Sequence, residues 1–152
     1  MVNKQSGNNK MLDRKEKLYQ VADRFSLDII YAFGSRAAEA AEYIKNEGSK
    51  IYPPAFSDVD IGVQPSVEKR FSIKDKVDLT LVLEEFFSVG RVDLIIILEA
   101  DPFLAANIIR GERIYCRDEY EADEYDLYIL RRAGDLIPLE RERIALIMEK
   151  DG

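Results

Sequence analysis

The sequence predicts an α/β (α+β) domain in which a small mixed β-sheet is flanked by helices. Three short apolar stretches, 28–33, 57–63 and 91–98, have the length and composition of strands. Between the last two lies 75–88, whose apolar residues recur at i, i+3, i+4, i+7 and i+8, the spacing of an amphipathic helix. Strands that alternate with helices are typical of a sheet covered by helices.

The other elements are predicted from periodicity and from residues that start or stop helices. Asp101-Pro102 has the form of an N-cap followed by a first helical residue, and Gly111 ends that helix. Gly48 ends an Ala- and Glu-rich segment in the same way. Further helices are expected over residues 11–26, 36–47, 101–110, 119–134 and 138–150, and an edge strand over 112–116.

Composition limits the classes of function. The 152 residues fit one domain, and no apolar run approaches the roughly 18–20 residues of a membrane span. A net charge of −7 argues against direct nucleic-acid binding, which depends on Lys and Arg. The absence of histidine excludes Ser-His-Asp and Cys-His triads, histidine-ligated zinc and a histidine general base. The single cysteine, Cys116, and the polar start without a signal peptide favour a cytoplasmic protein.

Two carboxylates lie on one face of the second predicted strand. Successive side chains of a strand point to opposite faces, so Asp58 and Asp60 project together while Val59 and Ile61 face the core. Carboxylates this close repel one another unless a cation lies between them. Mg²⁺ prefers oxygen ligands and often takes one or two carboxylates together with substrate phosphates. By itself the D-x-D pattern is weak, because the chain has 29 acidic residues.

A third carboxylate, Asp93, stands in the otherwise apolar run 92–98. A carboxylate in a buried strand is costly unless it is paired or bound to a metal. If this strand lies beside 57–63, Asp93 completes a three-carboxylate site. Two metal ions held there would clamp the attacking and leaving oxygens of an in-line displacement.

Gly34 and Ser35 follow the first strand directly and are expected to bind phosphate. A glycine between a strand and a helix lets the backbone approach a ligand, and the amides of the helix start favour an anion. The Ser35 hydroxyl is suited to donate to a phosphate oxygen, and Arg36 would add positive charge.

These three motifs, F-G-S-R at 33–36, S-D-V-D-I-G-V at 57–63 and R-V-D-L-I-I-I-L at 91–98, resemble the minimal nucleotidyltransferases of the DNA polymerase β superfamily. The resemblance covers about residues 30–115. It implies that Asp58, Asp60 and Asp93 are the catalytic and metal-binding residues for Mg²⁺. It also implies that Gly34 and Ser35 hold the triphosphate of ATP.

The C-terminal helices, 118–150, resemble those of the prokaryotic antitoxin branch of this family. Members of that branch are paired with HEPN-domain ribonuclease toxins and attach AMP to a tyrosine hydroxyl of the toxin. The resemblance therefore implies a protein adenylyltransferase, with ATP and a HEPN toxin as its partners. Homo- and hetero-oligomers both remain open.

The chain departs from the family pattern over residues 36–57, where roughly a dozen extra residues separate Gly-Ser from D-x-D. We expect this insertion loop to be a surface excursion, and residues 1–10 to be a flexible tail of the single domain, 1–152. Two other functions remain open. A small-molecule nucleotidyltransferase of the aminoglycoside-modifying type usually has a further domain, and a non-catalytic binding antitoxin would not need the three Asp residues.

Overall fold

The computed structural model describes residues 12–52 and 58–151, so the expected tail at 1–10 lies outside the described residues. Short 3₁₀ turns follow the first and third strands, at Gly34–Arg36 and Ile97–Glu99. The helices and strands are, in chain order, α1 (Arg14–Phe25), β1 (Leu27–Phe33), α2 (Ala37–Lys45), β2 (Val59–Pro65), α3 (Ile73–Phe87), β3 (Val92–Ile96), α4 (Pro102–Ile109), β4 (Glu112–Cys116) and α5 (Glu119–Asp151).

The four strands form one mixed sheet in the order β3-β2-β1-β4. β1 is antiparallel to both of its neighbours, whereas β2 and β3 are parallel. The parallel pair is connected by α3, as a parallel connection requires a crossover. The predicted α+β architecture with a small mixed sheet is thus confirmed, and β4 is an edge strand as expected.

Alternating side chains of the strands supply two separate apolar cores. Ile30 and Ala32 of β1 face the layer of α1, α2 and α3, where Leu18, Leu79 and Leu83 are fully buried. The residues between them, Ile29, Tyr31 and Phe33, face α4 and the first half of α5. The sheet is therefore covered on both faces, which explains why its strands are almost uniformly apolar.

Side-chain caps fix where the helices begin. Asp13 accepts a hydrogen bond from the Glu16 amide at the start of α1, and Asp101 accepts from two amides at the start of α4, where Pro102 is the first helical residue. Ser72 and Asp75 form a reciprocal capping box at the start of α3. The Asp-Pro pair thus predicted the start of α4 correctly.

The helix expected over residues 36–47 is present as α2, but the expectation that the insertion 36–57 is a surface excursion is wrong for its described part. Residues 37–45 form α2, and the side chains of Ala40, Tyr43 and Ile51 lie in the first core. The Tyr43 hydroxyl donates to the Phe86 carbonyl oxygen at 2.7 Å, which ties this segment to α3. Residues 37–51 contribute apolar side chains that pack in the first core, so this segment is part of the fold and not an excursion from it. Residues 53–57 lie outside the described residues.

The two C-terminal helices predicted over 118–150 are a single helix, α5, with Pro138 inside it. Proline removes one backbone hydrogen bond and crowds the carbonyl four residues earlier, here that of Gly134. Among the described residues nothing lies close to the Cα atom of Gly134 on its side-chain side, so this turn has room to adjust toward water.

No helix in the described part of the chain combines the length and the apolar character needed to cross a membrane.

Candidate active site

The turn that ends β1 is built against Asp60. Gly34 has φ +73°, a left-handed conformation that side chains other than glycine rarely adopt. A Cβ atom at this position would overlap the Asp60 Oδ2 atom. Glycine is required here for two reasons, namely the backbone angle and the close approach of the carboxylate.

Strand register places the acidic residues at the same end of the sheet. Asp60 is paired with Phe33 of β1 on one side and with Asp93 of β3 on the other. Asp58 precedes β2 by one residue and is two residues from Asp60, so both point to the same face. The structure thus brings Asp60, Asp93 and the Gly34 turn together, on the face of the sheet that α4 and α5 cover.

The charges of this cluster repel one another. The pKa of Asp60 is raised above its ordinary value, first by burial and then by the negative charges of Asp93 and Asp58. Asp58 forms an exposed ion pair with Arg91, with 3.4 Å between Oδ2 and Nε. Asp93 is exposed, so the expectation that this carboxylate is buried within its strand is wrong. It lies one residue after the start of β3, at the open end of the sheet.

The donor chemistry of the cluster suits Mg²⁺, which takes carboxylate oxygens and relieves this kind of repulsion in its site. Within residues 12–52 and 58–151, no group of three or more Asp, Glu, Cys or His side chains has the arrangement needed to hold a metal ion. The ligand role of the three Asp residues therefore stays a prediction.

Ser35 and Arg36 leave the turn in different directions. Ser35 is exposed beside Gly34. Arg36 is only 3% exposed, and its guanidinium donates to the Glu39 carboxylate at 3.2 Å and to the Tyr52 carbonyl oxygen. The Arg36 side chain therefore braces the segment after α2 and is not open to a phosphate in this structure.

The polymerase β nucleotidyltransferase family model matches residues 16–120, about two thirds of the chain. The chain belongs to this nucleotidyltransferase family. The matched range contains the Gly34 turn and all three Asp residues. No curated protein sequence matches the chain.

Solved structures agree with this nucleotidyltransferase assignment at the level of the fold. A mutant of the toxin–antitoxin MntA–HpeT has a TM-score of 0.63 at 16% identity, and a toxin–antitoxin with AMP-PNP has 0.63 at 17%. Each match covers 91% of this chain and 98% of the other. A complex of tri-AMPylated Shewanella oneidensis HEPN toxin with MNT antitoxin has 0.59 at 16%, covering 91% and 97%.

Sequence reasoning missed a polar network that fastens α5 to the sheet of this nucleotidyltransferase. The buried Tyr31 hydroxyl donates to Asp126, and Arg113 donates to Asp126 at 2.7 Å and to Asp123 at 2.8 Å. Burial and the Asp126 charge raise the pKa of Tyr31 well above its ordinary value. The available signal was an arginine in strand ERIYC followed by two aspartates three residues apart on the next helix.

Proposed function

We propose that this nucleotidyltransferase moves AMP from ATP to a tyrosine hydroxyl of a HEPN-domain ribonuclease and thereby acts as its antitoxin. The observation that carries the proposal is the pairing of Asp60 with Asp93 beside the Gly34 turn. A close approach between a glycine backbone and a carboxylate gives one place where phosphate and metal ligands meet. A fold that only bound a partner would have no need for it.

In this proposal Asp58, Asp60 and Asp93 would hold Mg²⁺, which would supply positive charge to neutralise the triphosphate and the leaving pyrophosphate. The backbone at Gly34 and the hydroxyl of Ser35 orient the phosphates. Asp93 is the most exposed of the three carboxylates and faces the incoming acceptor, whose proton it accepts. A side chain at position 34 would overlap the Asp60 carboxylate, so only glycine leaves this carboxylate room beside the turn.

The transfer itself is an in-line displacement. The tyrosine oxygen attacks the α-phosphorus of ATP and forms the new P–O bond, while the bond from the α-phosphorus to the pyrophosphate oxygen breaks. The hydroxyl proton goes to the carboxylate, and pyrophosphate leaves with the bonding electrons. Positioning and charge stabilisation account for most of the rate gain in such reactions.

The choice of acceptor is supported by the structural neighbours. One of them contains an AMPylated HEPN toxin with an MNT antitoxin, and another contains AMP-PNP. This chain covers 98% and 97% of those two chains, so it matches them over nearly their whole length. A net charge of −7 favours a partner with a basic surface, which a ribonuclease needs in order to bind RNA.

The test is co-expression with a HEPN-domain ribonuclease, followed by mass spectrometry of the intact ribonuclease. We expect one or more AMP-sized adducts on tyrosine with the natural sequence. Asp60→Asn should remove them, because an amide cannot replace the charge that holds the metal. Asp135→Asn, the same change at an exposed position of α5, is the matched control and should leave the adduct in place.

Two outcomes would overturn the proposal. A ribonuclease silenced equally by the natural sequence and by Asp60→Asn, with no adduct in either case, would make the protein a binding antitoxin. An adduct on a residue other than tyrosine would preserve the enzyme and refute the acceptor.

A further inference from the structure

The second half of α5 extends beyond the rest of the molecule. Ala133 is the last buried residue of the chain as described, and every residue from 137 to 149 except Glu140 is exposed. At about 1.5 Å per residue, residues 134–149 form a rod of roughly 24 Å. Several large apolar side chains lie on this rod, including Leu139 at 61%, Ile144 at 47% and Ile147 at 48% exposure. Apolar surface of this extent on a helix indicates a missing partner.

The sequence of the rod is chemically self-complementary when it is read in opposite directions. Residues 136–141 read L-I-P-L-E-R, and residues 142–147 read E-R-I-A-L-I. Counting outward from the point between Arg141 and Glu142, each apolar residue meets an apolar residue, and each charged residue meets one of opposite sign. Two antiparallel copies related by a two-fold axis at that point would therefore place those residues that lie on the contact face opposite suitable partners.

One face of the helix carries this pattern. Leu136, Glu140, Arg143 and Ile147 recur at i, i+4, i+7 and i+11, the spacing of an interhelical seam. Across the axis, Leu136 faces Ile147 of the other copy and Glu140 faces its Arg143. Leu139 and Ile144 flank the seam, and Leu139 of one copy faces Ile144 of the other. The facing pairs are therefore 136–147, 139–144 and 140–143. In a two-fold symmetric pair the same helix face of both copies forms the contact, so that face must be complementary to itself. The face that carries Leu136, Glu140, Arg143 and Ile147 meets this requirement.

We propose that residues 134–149 of α5 form an antiparallel helix pair with a second copy of this chain. The occupant is a second copy because the match of both charge and apolar character is with the segment itself. Within one chain Arg143 already forms an ion pair with Glu140. In the dimer, Glu140 and Arg143 of the second copy would lie against this pair, each opposite a residue of the other sign. The opposite side of the rod carries Arg141 and Glu142 and stays in water.

The size of the contact sets its expected strength. A pair of helices of about four turns buries less than the roughly 1,200–2,000 Å² of a standard stable interface. We therefore expect a dimer whose population rises with protein concentration. Because the interface includes opposite charges at its centre, its dissociation should increase with salt.

The first test is sedimentation equilibrium of the full chain over a concentration series. The natural sequence should show a monomer–dimer equilibrium, and Ile144→Asp should be monomeric at concentrations where the natural sequence is dimeric. Ala145→Asp places the same charge on the opposite side of the rod and is the matched control. It should leave the dissociation constant within about threefold, since surface changes are usually small in free energy.

Charge-reversal variants test whether Glu140 and Arg143 of the two copies face each other. Arg143→Glu places an acidic side chain opposite Glu140 of the other copy and should raise the dissociation constant, whereas Arg141→Glu on the opposite side should not. Combining Glu140→Arg with Arg143→Glu restores the opposite pairing and should restore dimerisation. Far-UV circular dichroism of each variant shows whether the helix itself is intact.

Cross-linking tests the orientation. In a Cys116→Ser background, the Leu136→Cys and Ile147→Cys variants should each form few disulfide dimers alone and should form them readily when mixed. A parallel pair would instead cross-link each variant with itself. The proposal is overturned by a chain that stays monomeric throughout the series, by equal effects of the two Asp substitutions, or by self-cross-linking. A monomer that pairs only with a ribonuclease would also overturn it and would identify that partner as the occupant.

Discussion

Two segments of this chain have similar composition and opposite surroundings. Residues 37–51 and residues 134–149 both combine helix-forming, charged and apolar residues. The first was expected to be a surface excursion, yet its helix is packed between α1, α3 and the sheet. The second continues a helix that packs one face on the sheet, and its described side chains are almost all exposed once Ala133 is passed. Apolar content alone therefore does not tell which segment belongs to the core.

The difference comes from polar contacts that anchor the first segment. Arg14 of α1 donates to the carbonyl oxygens of Tyr43, Asn46 and Ser49, which end α2 and start the following loop. The Arg14 guanidinium also lies 3.6 Å from the centre of the Tyr43 ring. In the rod of α5, the ion pair between Arg143 and Glu140 stays within the helix itself. A segment anchored to distant parts of the chain is core, and one that contacts mainly itself is available to another molecule.

The largest effect should come from removing the Tyr43 side chain. Tyr43→Ala leaves a cavity among Phe86, Phe87 and α1, and we expect a loss of about 3–5 kcal/mol in the free energy of unfolding. Tyr43→Phe, which loses only the hydrogen bond to the Phe86 carbonyl, should cost about 1 kcal/mol. Urea unfolding followed by circular dichroism measures both. If Tyr43→Ala costs no more than Tyr43→Phe, the segment is a surface excursion after all.

Removing the Arg14 anchor should have the next largest effect. Its three carbonyl contacts are charge-assisted, and hydrogen bonds to charged groups contribute about 1.5–3 kcal/mol. We expect Arg14→Ala to fall in this range in the same urea experiment, and hydrogen exchange to increase over residues 43–49. The neighbouring Lys15→Ala serves as the control. An Arg14 variant as stable as the Lys15 variant would show that the anchor contributes nothing.

The rod should be far less sensitive at low concentration. Ile147→Ala at a concentration where the chain is monomeric should change the free energy of unfolding by less than about 0.5 kcal/mol, as is usual for exposed positions. The same substitution in a concentrated sample should lower the unfolding midpoint, because it weakens the helix pair. A large effect in the dilute sample would place Ile147 inside the fold of the single chain.

The smallest effect concerns the acidic end of the sheet. The raised pKa of Asp60 means that the folded state binds its proton more tightly than the unfolded state does. Stability therefore falls as pH rises from the ordinary value of 3.8 through the raised one, and the loss is complete above it. Without metal, Asp60→Asn should be slightly more stable than the natural sequence at pH 7, and this advantage should vanish near pH 3. An Asp60→Asn protein less stable than the natural one at pH 7 would show that the carboxylate has a favourable partner.

The strands and most helices could be predicted because their signals are local. Alternation and run length gave β1 to β4, and the Asp101-Pro102 pair gave the start of α4. The Gly34 turn and the Asp60–Asp93 neighbourhood could be predicted from strand parity together with the family resemblance. The failures depended on distant contacts. Arg14 reaches a segment about thirty positions away, and Arg36 finds Glu39 and Tyr52 instead of a phosphate.

The prediction that α5 is interrupted at Pro138 was wrong for a different reason. Proline usually ends a helix, and its position in the sequence predicted two helices separated there. The exposed position of Pro138 and the open space beside Gly134 make the lost hydrogen bond tolerable, so α5 continues. The sequence around residues 134–138 does not show whether this turn is exposed to solvent, so it could not show that the helix continues through Pro138.

Isothermal titration calorimetry with a non-hydrolysable ATP analogue tests the central claim most directly, because it needs no protein partner. The natural sequence should bind the analogue with Mg²⁺ and lose most of that affinity in excess EDTA. Asp60→Asn and Asp93→Asn should bind at least about 10-fold more weakly, because an amide cannot replace the charge that holds Mg²⁺ and even groups that only support a metal ligand are worth about 10–100-fold in metal affinity. Asp135→Asn should match the natural sequence. Binding that is equally strong with EDTA, or unchanged in Asp60→Asn, would contradict the assignment of this end of the sheet as the nucleotide site.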